Sequence, residues 1–411
     1  MSGGRNHHPQ QWRNVVTAKL NAVSSLIAIG IAAAAMPLAA SAQDFPKPKQ
    51  PLVISVIDVA GDLQLSKPAL EKFAKAHPDL ISKFVYTEAP APELSGKLKA
   101  QQDAGRVDID FVLTGNDALA AGMEQSQWVE ILPKYAAMFP DLEKRYLPGA
   151  HAMQKMARGQ AFVDDWYPSG PLLEYAPERV KDLPDTAEKL LAWCKAHPGK
   201  FVYARPANSG PGRTFVMGLP YLLGDKDPMD PEHGWDKTWA YLKELDSCIE
   251  YYPSGTTATM KELGEGTRDI IATTTGWDVN PRYLGIVPED YKVGTLKGFH
   301  WVGDANYVAI PKGVSDEKLG VLLQLIAFIL KPEQQAFMYD HGYMYPGPAI
   351  NDVPIEMAPK DSQDTFKRFG RAEYAAMIAD NPIEPPLDAK PLVVMFEKWD
   401  RDIGGATLKK N

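Results

Sequence analysis

Strand-like and helical patterns alternate twice along this chain, and that alternation constrains its fold more than any other feature. LVISVI (residues 52–57) reads as a buried strand, followed by a glycine-containing loop over residues 58–66. Pro68 then opens a helix with Leu70, Phe73 and Ala74 on one face. FVYTEA (84–89), a polar helix ending at Gly105, and DIDFVLTGND (108–117) continue the series as strand, helix and strand running into a loop. Such a series builds a parallel α/β sheet. GQAFVDDWYPSGPLLEY (159–175) breaks the rhythm with a strand-like run holding two prolines. The rhythm restarts with a helix over 186–197, a strand over 200–206 and DIIATTT (269–275), and breaks again near residue 300. Helices over 316–330 and 332–342 follow, but no third full unit begins. A chain of 411 residues is long for one core. The economical reading is that it leaves one lobe, builds a second and returns. Two strand-like crossings then form a hinge, with a ligand cleft between the lobes.

The first 42 residues differ from the rest. Arg5, Arg13 and Lys19 precede SLIAIGIAAAAMPLAA (25–40) and the Ala40-Ser41-Ala42 triplet, with no acidic residue among them. This is the layout of a cleavable secretory signal peptide, cut after Ala42, and it predicts export to the periplasm. Losing those three cations takes the net charge from −8 to −11. An acidic chain of this kind is a poor partner for nucleic acid or an anionic membrane surface. Cys194 and Cys248 are the two cysteines. Both lie in helical patterns, and an exported chain permits either a bridge or two free thiols.

The segment GFHWVGDANYVAIPKG (298–313) poses the functional question. Val308-Ala309-Ile310 reads as a short buried strand closed by Pro311. Ahead of it stand Phe299, His300, Trp301 and Tyr307 beside Asp304 and Asn306. Rings and a carboxylate at the mouth of a buried strand suit a crossing that lines a cavity.

The run from Trp301 to Ile350 continues with a helix ending FILKPE and a second reaching GYMYP. In that order and spacing it resembles the return segment of bacterial extracellular solute-binding proteins of the spermidine/putrescine, thiamine and iron group. The strand, glycine loop and FAKAHP helix of residues 52–78 agree, as does GQAFVDDWYPSGPLLEYAPERV (159–180) at the family's first crossing. The resemblance covers most of residues 50–350. It implies an α/β, two-lobed periplasmic binding protein fold of type II, with two mixed sheets flanked by helices. The expected division is leader 1–42, first lobe 43–160, second lobe 161–300, a return segment 301–350, and a helical extension 351–411 packing on the lobes. It also implies a monomer that hands a small solute to an ABC-transporter permease, with no cofactor and no catalysis. The ligand does not follow: a polyamine-like or other small polar organic solute and a sugar or polyol both remain open. Trp301 and Asp304 are three apart, where polyamine binders of the group place such a pair two apart.

Ligands of doubly wound sheets lie beyond the carboxyl ends of strands. That rule selects Asp58 and Gly61 after the first strand, and Asn116 and Asp117 after the third. Ser209 and Arg213 stand at one apparent helix start, Ser254 and Thr256 at another, where free N–H groups suit anions. Asp165–Trp166, Trp277–Asp278 and Trp301–Asp304 pair a ring with an acid, which suits a cation or a stacked sugar. From other classes, an exported hydrolase or a ligand-sensing receptor subunit are the alternatives. No G-x-S-x-G, H-E-x-x-H, P-loop or C-x-x-C metal spacing supports catalysis or a metal site.

Overall fold

The computed structural model describes residues 45–405; the leader and its cleavage site after Ala42 lie outside the described residues. Strands β1 (Leu52–Asp58), β2 (Ile81–Glu88) and β3 (Phe111–Gly115) alternate with helices Leu63–Ala76 and Ala91–Asp103. β4 (Ala161–Gly170), β5 (Leu172–Tyr175), β6 (Phe201–Val202), β7 (Ile270–Thr273) and β8 (Lys292–Gly294) follow. β9 (Trp301–Ala309), β10 (Gly347–Pro348) and β11 (Ile383–Glu384) complete the strands.

They form two mixed sheets. One has seven strands in the order β10-β4-β9-β3-β1-β2, with β11 added beside β9; the other has four, β6-β7-β5-β8. β1 pairs in parallel with β2 and β3, whereas β9 runs antiparallel to both β3 and β4. The expected α/β architecture of two mixed sheets flanked by helices is therefore what the chain builds. Alternation from strand to helix makes the first three strands parallel, because each helix carries the chain back across the sheet.

Each sheet has its own buried core. Leu65, Leu70 and Phe73 of the first helix bury with Leu322, Leu325 and Ile326 of helix Asp316–Ile329 over the larger sheet. Phe201, Phe215, Trp239 and Leu242 pack over the smaller sheet together with Leu392, Met395 and Trp399 of helix Ala389–Trp399. Cys194 and Cys248 are bonded to each other, with Cα atoms 5.8 Å apart, and tie helix Ala187–Ala196 to the chain beyond helix Asp236–Asp246.

Several local expectations change. The first helix begins at Leu63, so Pro68 lies inside it rather than opening it. The Asp58 carboxylate is the reason: it accepts the N–H groups of Ala60, Gly61, Asp62 and Leu63 at 2.9–3.2 Å. These donors would otherwise be orphaned at a helix start. Asn116 and Asp117 are not loop residues but the first two positions of helix Asn116–Glu124. From Trp301 onward the ring-rich half of 298–313 is strand as well, since β9 runs unbroken to Ala309 and is buried throughout, with Phe299 and His300 preceding it.

Candidate functional site

The site is organised by the paired strands β4 and β9. β4 and β9 pair along nearly their whole length, with Asp165 opposite Asn306 and Tyr167 opposite Asp304. The two-residue period of a strand puts these four side chains on one face and Trp166 with Ala305 on the other. Asn306 Nδ2 donates to Asp165 Oδ2 at 2.8 Å, and the Tyr167 hydroxyl lies 3.4 Å from Asp304 Oδ2.

Asp304 is a hub. It accepts Asn116 Nδ2 at 2.5 Å, the Ala305 N–H at 3.0 Å and Arg213 Nη2 at 2.7 Å. Arg213 also donates Nη1 to Asp117 Oδ2 at 3.1 Å, so one guanidinium joins the start of helix Gly210–Leu223 to helix Asn116–Glu124. Burial works against the charge of Arg213, but Asp304 and then Asp117 outweigh it and hold the guanidinium protonated more firmly than usual. Tyr307 donates its hydroxyl to Asn116 Oδ1 at 2.7 Å, which fixes the amide orientation.

A cavity of about 420 Å³ opens beside this network. Gly115, Asp117 and Asn306 line it from the seven-stranded side, and Ser209, Arg213, Ser254, Thr256 and Trp277 line it from the other. A neighbouring cavity of about 720 Å³ is bounded by Asp58, Gly61, Gln64, Lys67, Glu88 and Tyr343. Gly61 sits at φ +78°, and a Cβ there would come within 2.6 Å of the Tyr343 hydroxyl. Only glycine lets the chain turn so close to that ring.

The predicted site residues fall into three groups. Asp58, Gly61, Asp117, Ser209, Arg213, Ser254, Thr256 and Trp277 line these cavities. Asn116, Asp165 and Asp304 lie just beneath them in the buried hydrogen-bond network. Trp166, Trp301 and Asp278 are elsewhere. Trp166 packs on Gly149, and Trp301 is fully buried beside Phe299, its Nε1 donating to Met377 O at 3.0 Å. Asp278 is fully buried and held by Arg371 at 2.7 Å, by Arg282 at 3.2 Å and by the Tyr374 hydroxyl. All three ring–acid pairs are thus split between separate packing environments. Asn306, part of the ring-rich segment expected to line a cavity, does so, and Tyr167 and Tyr343 line the cavities beyond that expectation. For Tyr167 the signal was available, since it shares strand parity with Asp165.

Under the cleft lies a group of acids. One carboxylate oxygen from each of Asp62, Asp164 and Asp165 comes within 4.8 Å of the others, and all three residues are fully buried. Successive residues of a strand normally face opposite ways; a register shift between Val163 and Asp165 lets these two converge. Ser66 Oγ lies 3.0 Å from Asp62 Oδ1 and 2.9 Å from Asp164 Oδ2, donating its one proton to one carboxyl and free to accept from the other. Burial, followed by the charge of Asp164, pushes Asp62 and Asp165 well above the usual carboxylate range. Burial pushes Asp164 up to about 6, against the opposing hydrogen bonds of Asp62 and Ser66. The donor set is close enough to share a cation, and its electrostatics favour retained protons.

Two long paired strands, two mixed sheets and a polar cavity lined from both sides form a site with the shape to hold a small molecule. The sequence profile of the bacterial extracellular solute-binding proteins matches residues 69–366, and the chain belongs to that family. No curated protein sequence matches it. Solved structures with the same fold include an ABC transporter protein from Clostridium perfringens, at 13% identity, covering 86% of this chain and 99% of that one, TM-score 0.62. The periplasmic binding protein AfuA from Actinobacillus pleuropneumoniae, with fructose 6-phosphate bound, is similar at 14% identity, covering 87% and 99%, TM-score 0.62. The spermidine/putrescine substrate-binding protein PotD from Streptococcus pneumoniae is similar at 13% identity, covering 84% and 99%, TM-score 0.58.

Proposed function

We propose that this protein is the periplasmic solute-binding component of an ABC importer, exported through a cleavable leader and working as a monomer. It captures a small polar organic solute in the cleft and delivers it to a membrane permease. The lobes are residues 43–160 with 301–350, and 161–300, with residues 351–411 packing on them. The observation that carries the reading is the cleft itself, where Arg213 from one wall reaches Asp117 and Asp304 of the other. Groups from both walls meet a solute together only when the lobes are shut, so the solute shifts an open–closed equilibrium by its differential affinity. Among the described residues no helix is long and apolar enough to cross a membrane, which agrees with a separate permease. One structure of this fold is named for spermidine and putrescine and another holds exogenous fructose 6-phosphate, so the fold does not select the ligand. The test is a thermal-shift screen of polyamines, sugars and polyols, amino acids and phosphorylated compounds on protein refolded to strip carried-over solute. Small-angle scattering with each hit then follows. A stabilising solute that leaves the radius of gyration unchanged defeats the closure mechanism.

A further inference from the structure

The chemistry of the solute can be taken further on the basis of that reading. Two helices begin at the cleft on the wall opposite the seven-stranded sheet. Ser209 caps helix Gly210–Leu223, its Oγ accepting the Gly212 N–H at 3.3 Å. Helix Thr256–Gly264 starts after Gly255, which has no side chain to act as a cap. Ser209 Oγ and Thr256 Oγ1 are 2.7 Å apart, so the two starts converge on one spot. Helix Thr256–Gly264 presents its first-turn N–H groups there, whereas in the other helix Pro211 has none and Gly212 is held by Ser209, so that start adds chiefly the positive end of its dipole.

Helix starts are common, and these alone would mean little. The second observation is Arg213. Its side chain is only 7% exposed, it lines the same cavity, and its Nε–H has no acceptor. One of its other nitrogens is held by fully enclosed Asp304. The other is held by Asp117, which reaches across from the facing wall and keeps 14% side-chain exposure. The Asp117 carboxylate therefore sits where an incoming oxyanion would bind. Three acids beside the cavity are already committed: Asp304 to Arg213 and Asn116, Asp165 to Asn306, Asp58 to four backbone N–H groups.

We propose that the solute carries an anionic group, a carboxylate or phosphate, which seats on the Ser209 and Thr256 helix starts and takes Arg213 from Asp117. Such a group supplies the acceptor that Nε lacks and accepts first-turn N–H groups, as oxyanions do at helix N-termini.

Inorganic phosphate is the probe, titrated into the protein at constant ionic strength with chloride as reference, and read by calorimetry and thermal unfolding. Wild-type protein should bind it. Asp117→Asn removes the competing carboxylate and should tighten binding by about tenfold or more. Arg213→Gln should abolish binding. Because Arg213→Gln leaves Asp304 without its cation and can unfold the chain, the direction of the Asp117→Asn effect is decisive. Weaker or unchanged phosphate binding in Asp117→Asn overturns the proposal, since a cationic solute needs that acid and an anionic one competes with it. Phosphate binding that survives Arg213→Gln in folded protein marks an adventitious ion only, and overturns it too. Spermidine or glycerol stabilising and compacting the protein where phosphate does nothing removes the anion site but leaves solute capture standing. Phosphate binding with the expected Asp117→Asn response, in a protein that no solute compacts, keeps the anion site and removes the closure reading.

Discussion

Replacing Asp164 with Asn should stabilise this protein at neutral pH. Asp164 is fully buried, and its carboxyl holds a proton up to about pH 6, because burial penalises the charged form. The same group in the unfolded chain releases its proton near pH 4. Between those values the folded chain binds more protons than the unfolded one, so stability falls as pH rises through the window and is fully present below it. Roughly two pH units at about 1.4 kcal/mol each give a loss on the order of 3 kcal/mol by pH 7. Asn keeps an oxygen for the Ser66 hydroxyl, now 2.9 Å from Asp164 Oδ2, and offers Asp62 a donor in place of a second acid. It also removes the repulsion that Asp164 exerts on Asp62 and Asp165. Urea unfolding of both proteins at half-unit steps from pH 4.5 to 7.5 measures the effect. Over that range the mutant's advantage should grow by about 2 kcal/mol, the rest of the effect lying below pH 4.5, and level off once the carboxyl is ionised. An advantage that stays flat with pH, or a mutant less stable at pH 7, would refute the claim that this acid is forced to keep its proton.

Three further outcomes follow from the same geometry. Reducing Cys194–Cys248, whose positions are 54 residues apart, should lower stability by about 4 kcal/mol on the loop-entropy estimate; denaturant midpoints with and without reductant check it. Trp301→Ala should cost about 3–5 kcal/mol, as for a large buried ring. Trp277→Ala, at the cavity wall, should change solute titrations more than melting temperature; equal behaviour of the two variants in both assays would contradict their placement. Gly61→Ala should lose about 1–2 kcal/mol from its positive φ alone, with a further loss from the Tyr343 hydroxyl; only that second part should be recovered in a Tyr343→Phe background, in a double-mutant cycle.

The repeating apolar periods made both sheets legible, because strand–helix alternation is a local signal. The convergence of helix starts at Ser209 and Thr256 was half legible. Each start shows in sequence, but their 2.7 Å meeting depends on how two distant segments pack. The misplacements share one cause: a partner remote in sequence. Asp278 looked like a ring-paired acid, yet Arg371 and Tyr374, more than ninety positions away, neutralise and enclose it. Trp301 looked like a cavity wall until the chain near Met377 covered it. The Asp62–Asp164–Asp165 group needed a register shift that no spacing rule announces. The early start of the first helix was different, because Asp58 lies only five positions before Leu63. An acid followed by a small-residue turn was a cap waiting to be read.

The contact between Trp399 Nε1 and the Tyr203 hydroxyl joins positions 196 apart. Tyr203, Phe215 and Trp239 therefore wait for Leu392, Met395 and Trp399 before their core is sealed. During synthesis the four-stranded half cannot finish folding until nearly the whole described chain has emerged. On the export route proposed above, a chain threaded through a membrane in extended form gains from such a delay, since its second core stays unsealed while threading continues. A version ending at residue 386 should leave that half open to protease while the first core resists, and equal resistance of both halves would show that the late segment is not needed to seal it.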